Sequence, residues 1–176
     1  MEVKNRTDLA KYFAQLNFKV GAEIGVHGGR YSEILCQIIP KLKLFCVDIW
    51  TSQPVFQAAK DKLAQYNTTL IQKSSMDAVK EIPDESLDFV FIDADHKYAS
   101  VKRDITEWTK KVRPGGIVAG HDYYVFYHSR NRGVIDAVDE YVKKWSYKLF
   151  TTGQNWAANS RDDRQPSWYF FIDQYV

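Results

Sequence analysis

Two short stretches hold the side chains best suited to chemistry. "FIDADHKY", Phe91 to Tyr98, offers Asp93, Asp95, His96 and Lys97, and "AGHDYY", Ala119 to Tyr124, offers His121 and Asp122. Each set closes an apolar run that reads as a strand, so side chains from both turns can converge on one point. Carboxylates and imidazoles brought together hold divalent cations, and a set dominated by oxygen favours magnesium or manganese. The same groups move protons. An unperturbed imidazole titrates near pH ~6.5, so His96 can accept a proton at neutral pH without an extreme environment. Lys97 would need burial to serve as a base. The plainer roles are ligand support without a metal for Asp93 and a capping or supporting hydrogen bond for His96.

A third stretch, "VGAEIGVHGGRYSEIL" from Val20 to Leu35, begins as a strand, passes through Gly25, Gly28 and Gly29, and resumes as a helix. Such a turn sets backbone N–H groups and a helix N-terminus beside the open end of a sheet, a place suited to anionic or strongly polar ligands. A tight turn with no ligand is the alternative. Asp48 ends the next apolar run, "KLFCVDIW", at the distance from Glu23 expected of an acid that accepts hydrogen bonds from two ribose hydroxyls. Dinucleotide turns read G-x-G-x-x-G. Here Glu23 stands just ahead of the glycines, where it would repel a pyrophosphate but not a ligand carrying an amino group and a sulfonium cation.

The elements that must position these residues alternate. "RTDLAKYFAQLNF" has Leu9, Tyr12, Phe13 and Leu16 at helical spacing, with Thr7 or Asp8 as N-cap. "KVGAEIGV", "KLFCVDIW", "TTLIQKS", "LDFVFIDA" and "PGGIVAGHD" read as strands, each followed by a helical stretch, and "LDFVFIDA" is nearly continuous in apolar residues, as in a parallel strand covered on both faces. "YKLFTTG" and "SWYFFID" have no helix between them and should form an antiparallel hairpin at the sheet edge. The expected fold class is α/β: a Rossmann-like, doubly wound, mostly parallel seven-stranded sheet with a C-terminal antiparallel hairpin and helices on both faces, in a single domain over 1–176. In such sheets ligands bind beyond the carboxyl ends of the strands. Polar or acidic residues recur at those ends.

Composition narrows the classes. At 176 residues the chain suffices for one domain that buries roughly 70% of its unfolded surface. Cys36 and Cys46 lack metal spacing and sit in apolar runs, which points to core packing in a reducing compartment. Twenty-four basic and 22 acidic residues leave a net charge of +2, too balanced to predict nucleic-acid binding from the field. No apolar run of spanning length and no secretory pattern at the N-terminus is visible, so the expectation is a soluble, cytoplasmic protein with no membrane role.

"AEIGVHGGRYS", "CVDIW", "FIDADHKY" and the closing hairpin, taken in order, resemble the class I S-adenosylmethionine-dependent methyltransferases. The resemblance runs from about Val20 to the C-terminus. It implies that Gly25, Gly28 and Gly29 shape the methionine and ribose end of a S-adenosylmethionine pocket, that Glu23 orients the amino group, and that Asp48 holds the ribose. Ile49 and Trp50 would lie against the adenine, with Ser75 and Met76 at its edge; Trp50 reads equally well as a core aromatic. The spacing of the second constellation is similar to that of metal-dependent O-methyltransferases. That likeness implies Asp93, His121 and Asp122 as ligands of Mg2+ or Mn2+, and His96 with Asp93 as catalytic residues. His121 stands where the sugar-modifying type has a carboxylate, and Tyr123 where the catechol type has an amide.

The implied activity is methyl transfer to a hydroxyl of a small molecule or saccharide. Transfer to nitrogen, a noncatalytic binder of adenosylmethionine or of a partner protein, and a nicotinamide-dependent oxidoreductase are the other readings. A core with no appended domain fits a small acceptor, or a pocket completed by a partner subunit or a second copy. The loop "YYVFYHSRNRG", with Tyr124, Tyr127, His128, Arg130 and Arg132, and the polar stretch "GQNWAANSRDDRQP" are candidate substrate walls, and His27 a candidate pocket wall.

Overall fold

The computed structural model describes residues 2–126, 129–153 and 163–173. The order is α1 (Arg6–Gln15), β1 (Val20–Ile24), α2 (Arg30–Ile38), β2 (Lys43–Asp48), α3 (Gln53–Leu63), β3 (Thr68–Gln72), α4 (Ser75–Ala78) running on into a 3-10 turn (Val79–Glu81), β4 (Leu87–Ile92), α5 (Tyr98–Thr109), β5 (Val112–Gly120), α6 (Gly133–Trp145), β6 (Phe150–Thr151) and β7 (Trp168–Phe171). Seven strands form one sheet in the order β3-β2-β1-β4-β5-β7-β6. β1 to β5 pair in parallel, and β7 runs antiparallel to both β5 and β6. The expected hairpin is present, with its second strand inserted beside β5.

Alternation along the buried strands feeds two cores. On β4, Phe89 and Phe91 point to one face and Val90 and Ile92 to the other. The first face carries Leu9 and Phe13 of α1, Tyr31 and Leu35 of α2 and Leu63 of α3. The second carries Ala78 of α4, Val101, Ile105 and Trp108 of α5, and Val134 and Val138 of α6. Phe13 stacks on Phe89 with ring centroids 4.4 Å apart. The sheet is therefore dry on both sides, and its polar business is confined to its edges and ends.

Strand order reverses between β1 and β4, which each run from the middle of the sheet. Their last residues, Ile24 and Ile92, are register partners, and Ile24 is also level with Val47 of β2. The chain stays stitched beyond that level. Gly25 N–H donates to Val47 O at 2.8 Å, Asp93 N–H to Ile24 O at 2.8 Å, and His121 N–H to Ile92 O at 3.1 Å. Gly25, Asp48, Asp93 and His121 consequently form one row along the carboxyl edge, across the point where strand order reverses.

α1 starts two or three residues earlier than its sequence implies. Asn5 is the N-cap, accepting from Asp8 N–H at 2.8 Å, and the helix stops at Gln15 rather than reaching Phe18. Asn, like Thr or Asp, accepts well at a cap, and its extended backbone suits the position. No helix among the described residues is long and apolar enough to cross a membrane.

Candidate active site

The glycine turn is built against the ends of β2 and β4. Gly25 adopts φ +93°, and a Cβ there would meet the carbonyl oxygen of Asp93 at 2.1 Å, so the approach of the two turns requires glycine. Gly29, also left-handed at φ 77°, is the N-cap of α2. Gly28 differs: a Cβ there would meet nothing within 4 Å, so no contact within the protein demands a glycine. Asp48 holds the turn from β2. Its Oδ2 accepts from His27 N–H at 2.8 Å and its Oδ1 from Trp50 N–H at 2.8 Å.

Trp50 closes the same arrangement by donating its indole N–H to His27 O at 2.7 Å. At 3% exposure it packs in the core with Phe56 and is not among the residues that line the two cavities described below. Ile49, 59% exposed, is the residue of that pair that borders open space.

Glu23 is the buried acid of the cradle. Ser32 donates its hydroxyl to the carboxylate from α2. Burial pushes the Glu23 carboxyl up to about 8, against the hydrogen bond from Ser32 and the positive charge of Arg6.

Asp93, His96, His121 and Asp122 meet beyond β4 and β5. His96 Nε2 lies 3.0 Å from Asp122 Oδ2 and 3.7 Å from Asp93 Oδ1. His121 Nδ1 lies 3.1 Å from Asp122 Oδ1 and 3.9 Å from Asp93 Oδ2. Arg6 brings its guanidinium to 3.3 Å from Asp93 Oδ2 and stacks it on Tyr31, 4.7 Å from the ring centre. Burial alone would raise the Asp93 carboxyl; the nearby His96 imidazole and the charges of His121 and Arg6 outweigh it and hold that carboxyl below its usual value. The neighbouring Asp93 carboxylate raises the His96 imidazole above its ordinary value, with burial opposing and Asp122 assisting.

The ligand set differs in membership from the one expected. Asp93, His96 and Asp122 offer ligand atoms that all lie within 4.8 Å of one another; His121 does not complete that group. His121 is buried beside Phe91 and turns Nδ1 toward Asp122 Oδ1, whereas His96 reaches Oδ2 from the far side. His96 Nε2 is itself buried with no hydrogen bond of good geometry, despite its closeness to both carboxylates.

Two cavities meet at this edge. One, of about 460 Å3, is lined by Glu23, Arg30 and Tyr31 on the glycine-turn side and by Arg6, His96, His121, Asp122, Tyr124, Phe126 and Gln165 on the other. The second, of about 530 Å3, is bordered by Ile24, Val47, Asp48, Ile49, Ser75, Met76 and Asp104. Gly25, His27, Asp93 and Ala94 line both, so the cavities adjoin across the residues that follow β1 and β4. Both volumes fall within the range of small-molecule sites.

The loops after β5 and β6 contribute as walls only in part. Tyr124 and Phe126 line the first cavity, and Phe126 stacks on His96 with centroids 5.3 Å apart. Arg132 instead pairs with Asp136 at 3.2 Å, and Arg130 is exposed. Tyr127, His128 and residues 154–162 lie outside the described residues. Of the second polar stretch, Gln165 reaches the cavity and Asp163 accepts from the Thr7 hydroxyl at 3.0 Å.

Sequence reasoning missed Arg6 and Asp104. Arg6 gives no sign of its role, because an arginine at a helix start reads as solvated. Asp104 does leave one: it falls on the Val101, Ile105, Trp108 stripe of α5, where a charge should not sit without a purpose.

A methyltransferase-domain model matches residues 22–123. The curated relative "Uncharacterized protein y4gI" of Sinorhizobium fredii is 28% identical over 120 residues, 60% of this chain; the chain spans 13% of that relative's length. Among solved structures, cofactor-bound Rv0187 from MTB superposes with a TM-score of 0.77 at 13% identity, covering 96% of this chain and 79% of that one. The Bacillus cereus O-methyltransferase in complex with SAH gives 0.71 at 16%, covering 94% and 80%. An rRNA methylase from Streptococcus thermophilus gives 0.71 at 15%, covering 99% and 100%. At these identities the structures speak to fold. The family model spans more than half of the chain, from β1 through the turn that carries Asp122, and the chain thus belongs to the methyltransferase-domain family.

Proposed function

We propose that the chain binds S-adenosylmethionine across the two adjoining cavities and transfers its methyl group to a hydroxyl of a small molecule or saccharide. The observation that carries this is the shared wall. An elongated ligand laid over Gly25, His27, Asp93 and Ala94 places one end beside Asp48, Ile49 and Met76 and the other beside Glu23, with its middle next to the Asp93–His96–Asp122 group. When bound, S-adenosylmethionine supplies an electrophilic methyl on a sulfonium.

The residues then divide the labour. Asp48 keeps lone pairs for ribose hydroxyls while its two backbone bonds hold the turn. Glu23, neutral or ionised, accepts from the ligand's amino group. Gly28 leaves backbone open to close approach. On the other side, Phe126 backs His96, and Tyr124 and Gln165 offer polar contacts to an acceptor. His96 takes the proton from the acceptor hydroxyl, and Asp122 and Asp93, which face its Nε2, stabilise the imidazolium that results. The contribution of the chain is mainly position and charge.

One observation favours a second arrangement of the same site. The ligand atoms of Asp93, His96 and Asp122 are close enough to share one ion, and His96 Nε2 is buried without a good hydrogen bond, so these residues fit a divalent cation; one imidazole among carboxylates suits Mn2+ better than Mg2+. Such an ion supplies Lewis acidity to an acceptor oxygen. In that arrangement His96 is a ligand and not the base.

Calorimetric titration with S-adenosylhomocysteine, followed by an acceptor screen with MnCl2, MgCl2 or chelator, tests the proposal. Saturable binding and transfer to a hydroxyl compound support it. Well-folded protein that binds no S-adenosylhomocysteine, or prefers NADH, overturns it. Transfer abolished by chelator favours the arrangement with an ion at Asp93, His96 and Asp122.

A further inference from the structure

His96 stands on a turn that does little to hold it. Its side chain is 36% exposed, so packing alone does not fix the ring. Its peptide lies just ahead of Lys97, the N-cap of α5, and the helix bonds begin at Lys97 O, so the His96 carbonyl takes no part in the ladder. Two residues from the segment between β5 and α6 take hold of it instead. Asn131 donates its side-chain amide to His96 O at 3.3 Å, and Phe126 stacks its ring on the imidazole with 27° between the planes.

Both holders are themselves anchored. Asn131 Oδ1 accepts from Gly133 N–H at 2.8 Å at the start of α6; since only the oxygen can accept there, the amide nitrogen is the atom that faces His96 O. Phe126 N–H donates to Asn131 O at 3.1 Å, and Arg130 N–H donates to Phe126 O at 2.8 Å, so ring and amide belong to one hydrogen-bonded unit. Gly133 lets that unit approach. A Cβ at this position would meet His96 O at 2.4 Å and Tyr98 N at 2.6 Å, so the start of α6 can lie against the His96 turn only with glycine there.

On the reading in which His96 acts on the acceptor hydroxyl, as base or as ligand of an ion, we propose that Asn131 and Phe126 are positioning residues: one fixes the His96 backbone, the other its ring, so that Nε2 keeps facing Asp93 and Asp122. The same segment walls the first cavity through Tyr124 and Phe126, so contact with an acceptor and control of the histidine's direction reside in one stretch of chain. Reacting groups tolerate little displacement. A shift of about 1 Å can cost on the order of a hundredfold in rate.

The test uses the whole protein, unaltered and as Asn131→Asp, Asn131→Ala and Phe126→Leu. Asn131→Asp keeps an oxygen for Gly133 N–H but turns a second oxygen toward His96 O, so it breaks the grip and leaves the start of α6 capped. At one alkaline pH, where imidazoles are neutral, the His96 ring signals in a 1H–13C spectrum, identified by their loss in His96→Gln, carry the ring current of Phe126. Phe126→Leu should displace them, and both Asn131 variants should move them toward the Phe126→Leu position. With an acceptor found by the screen, Asn131→Asp should lower kcat about tenfold or more, while calorimetry gives S-adenosylhomocysteine affinity within about twofold of the unaltered chain's. His96 signals that stay in place in folded Asn131→Asp, or in Phe126→Leu, overturn the proposal, as does an unchanged kcat. An unaltered chain that binds no S-adenosylhomocysteine or methylates no hydroxyl compound overturns the reading of the reaction and the purpose assigned to the grip, and the spectra then decide the grip itself.

Discussion

Gly28 separates what the fold needs from what the site needs. Because a Cβ at this position meets no protein atom, Gly28→Ala should leave the urea midpoint unchanged while weakening S-adenosylhomocysteine binding about tenfold, roughly 1.4 kcal/mol. Parallel unfolding curves and titrations check it. His96 carries a second expectation. Its imidazole is raised above the ordinary value, so, with His96 as base, kcat/KM for the acceptor should climb with pH along a limb displaced upward from ~6.5. Asp122 favours the imidazolium. Asp122→Asn withdraws that charge and should move the limb to lower pH, while His96→Ala should remove the limb and lower kcat by about a hundredfold or more.

The residues at the strand ends were legible because chemistry-bearing types stood where apolar runs stopped. Asp48, Asp93, His96 and Asp122 all sit at the carboxyl edge, as that rule requires. What the sequence hid is how histidines share two carboxylates. His96 and His121 are both close to Asp93 and Asp122, and only the turn geometry separates the one that joins the compact group from the one that buttresses it.

At the level of elements, helices and strands were readable from period and from glycine and proline punctuation, since each strand end and turn carries its own local signal. The union of α1 with the site was not. Nothing in "RTDLAKYFAQLNF" announces that its first turn reaches Asp93 and Tyr31, because that contact depends on how α1 lies over α2. Tyr31 donates its hydroxyl to Arg6 O at 2.9 Å, and Thr7 meets Asp163 through both backbone and hydroxyl. Thr7→Val deletes the hydroxyl bonds and should cost about 1 kcal/mol in urea unfolding, with the larger change in binding of the acceptor than of S-adenosylhomocysteine.

For the whole molecule, Glu23 makes stability depend on pH. Its carboxyl stands near 8 in the fold against 4.5 as an ordinary carboxyl, so between these values the native chain binds more protons than the unfolded one. Stability should therefore be highest, as far as this group decides, below about 4.5 and fall as pH rises through about 8. Glu23→Gln should flatten that decline and raise the melting temperature at pH 8 relative to the unaltered chain. Thermal melts across pH, each compared with the variant, measure the difference.

The wall of the first cavity joins Arg6 to Gln165, and Thr7 is tied to Asp163 across 156 positions. The glycine turn and Asp48, by contrast, belong to the first third of the chain. The first cavity is therefore walled by residues drawn from both ends of the chain, and the second by residues from its first two thirds. β7, which follows Asp163, is also the strand that ties β6 to the sheet beside β5, so the anchor of the first helix and the closing edge of the sheet lie in one short stretch of chain.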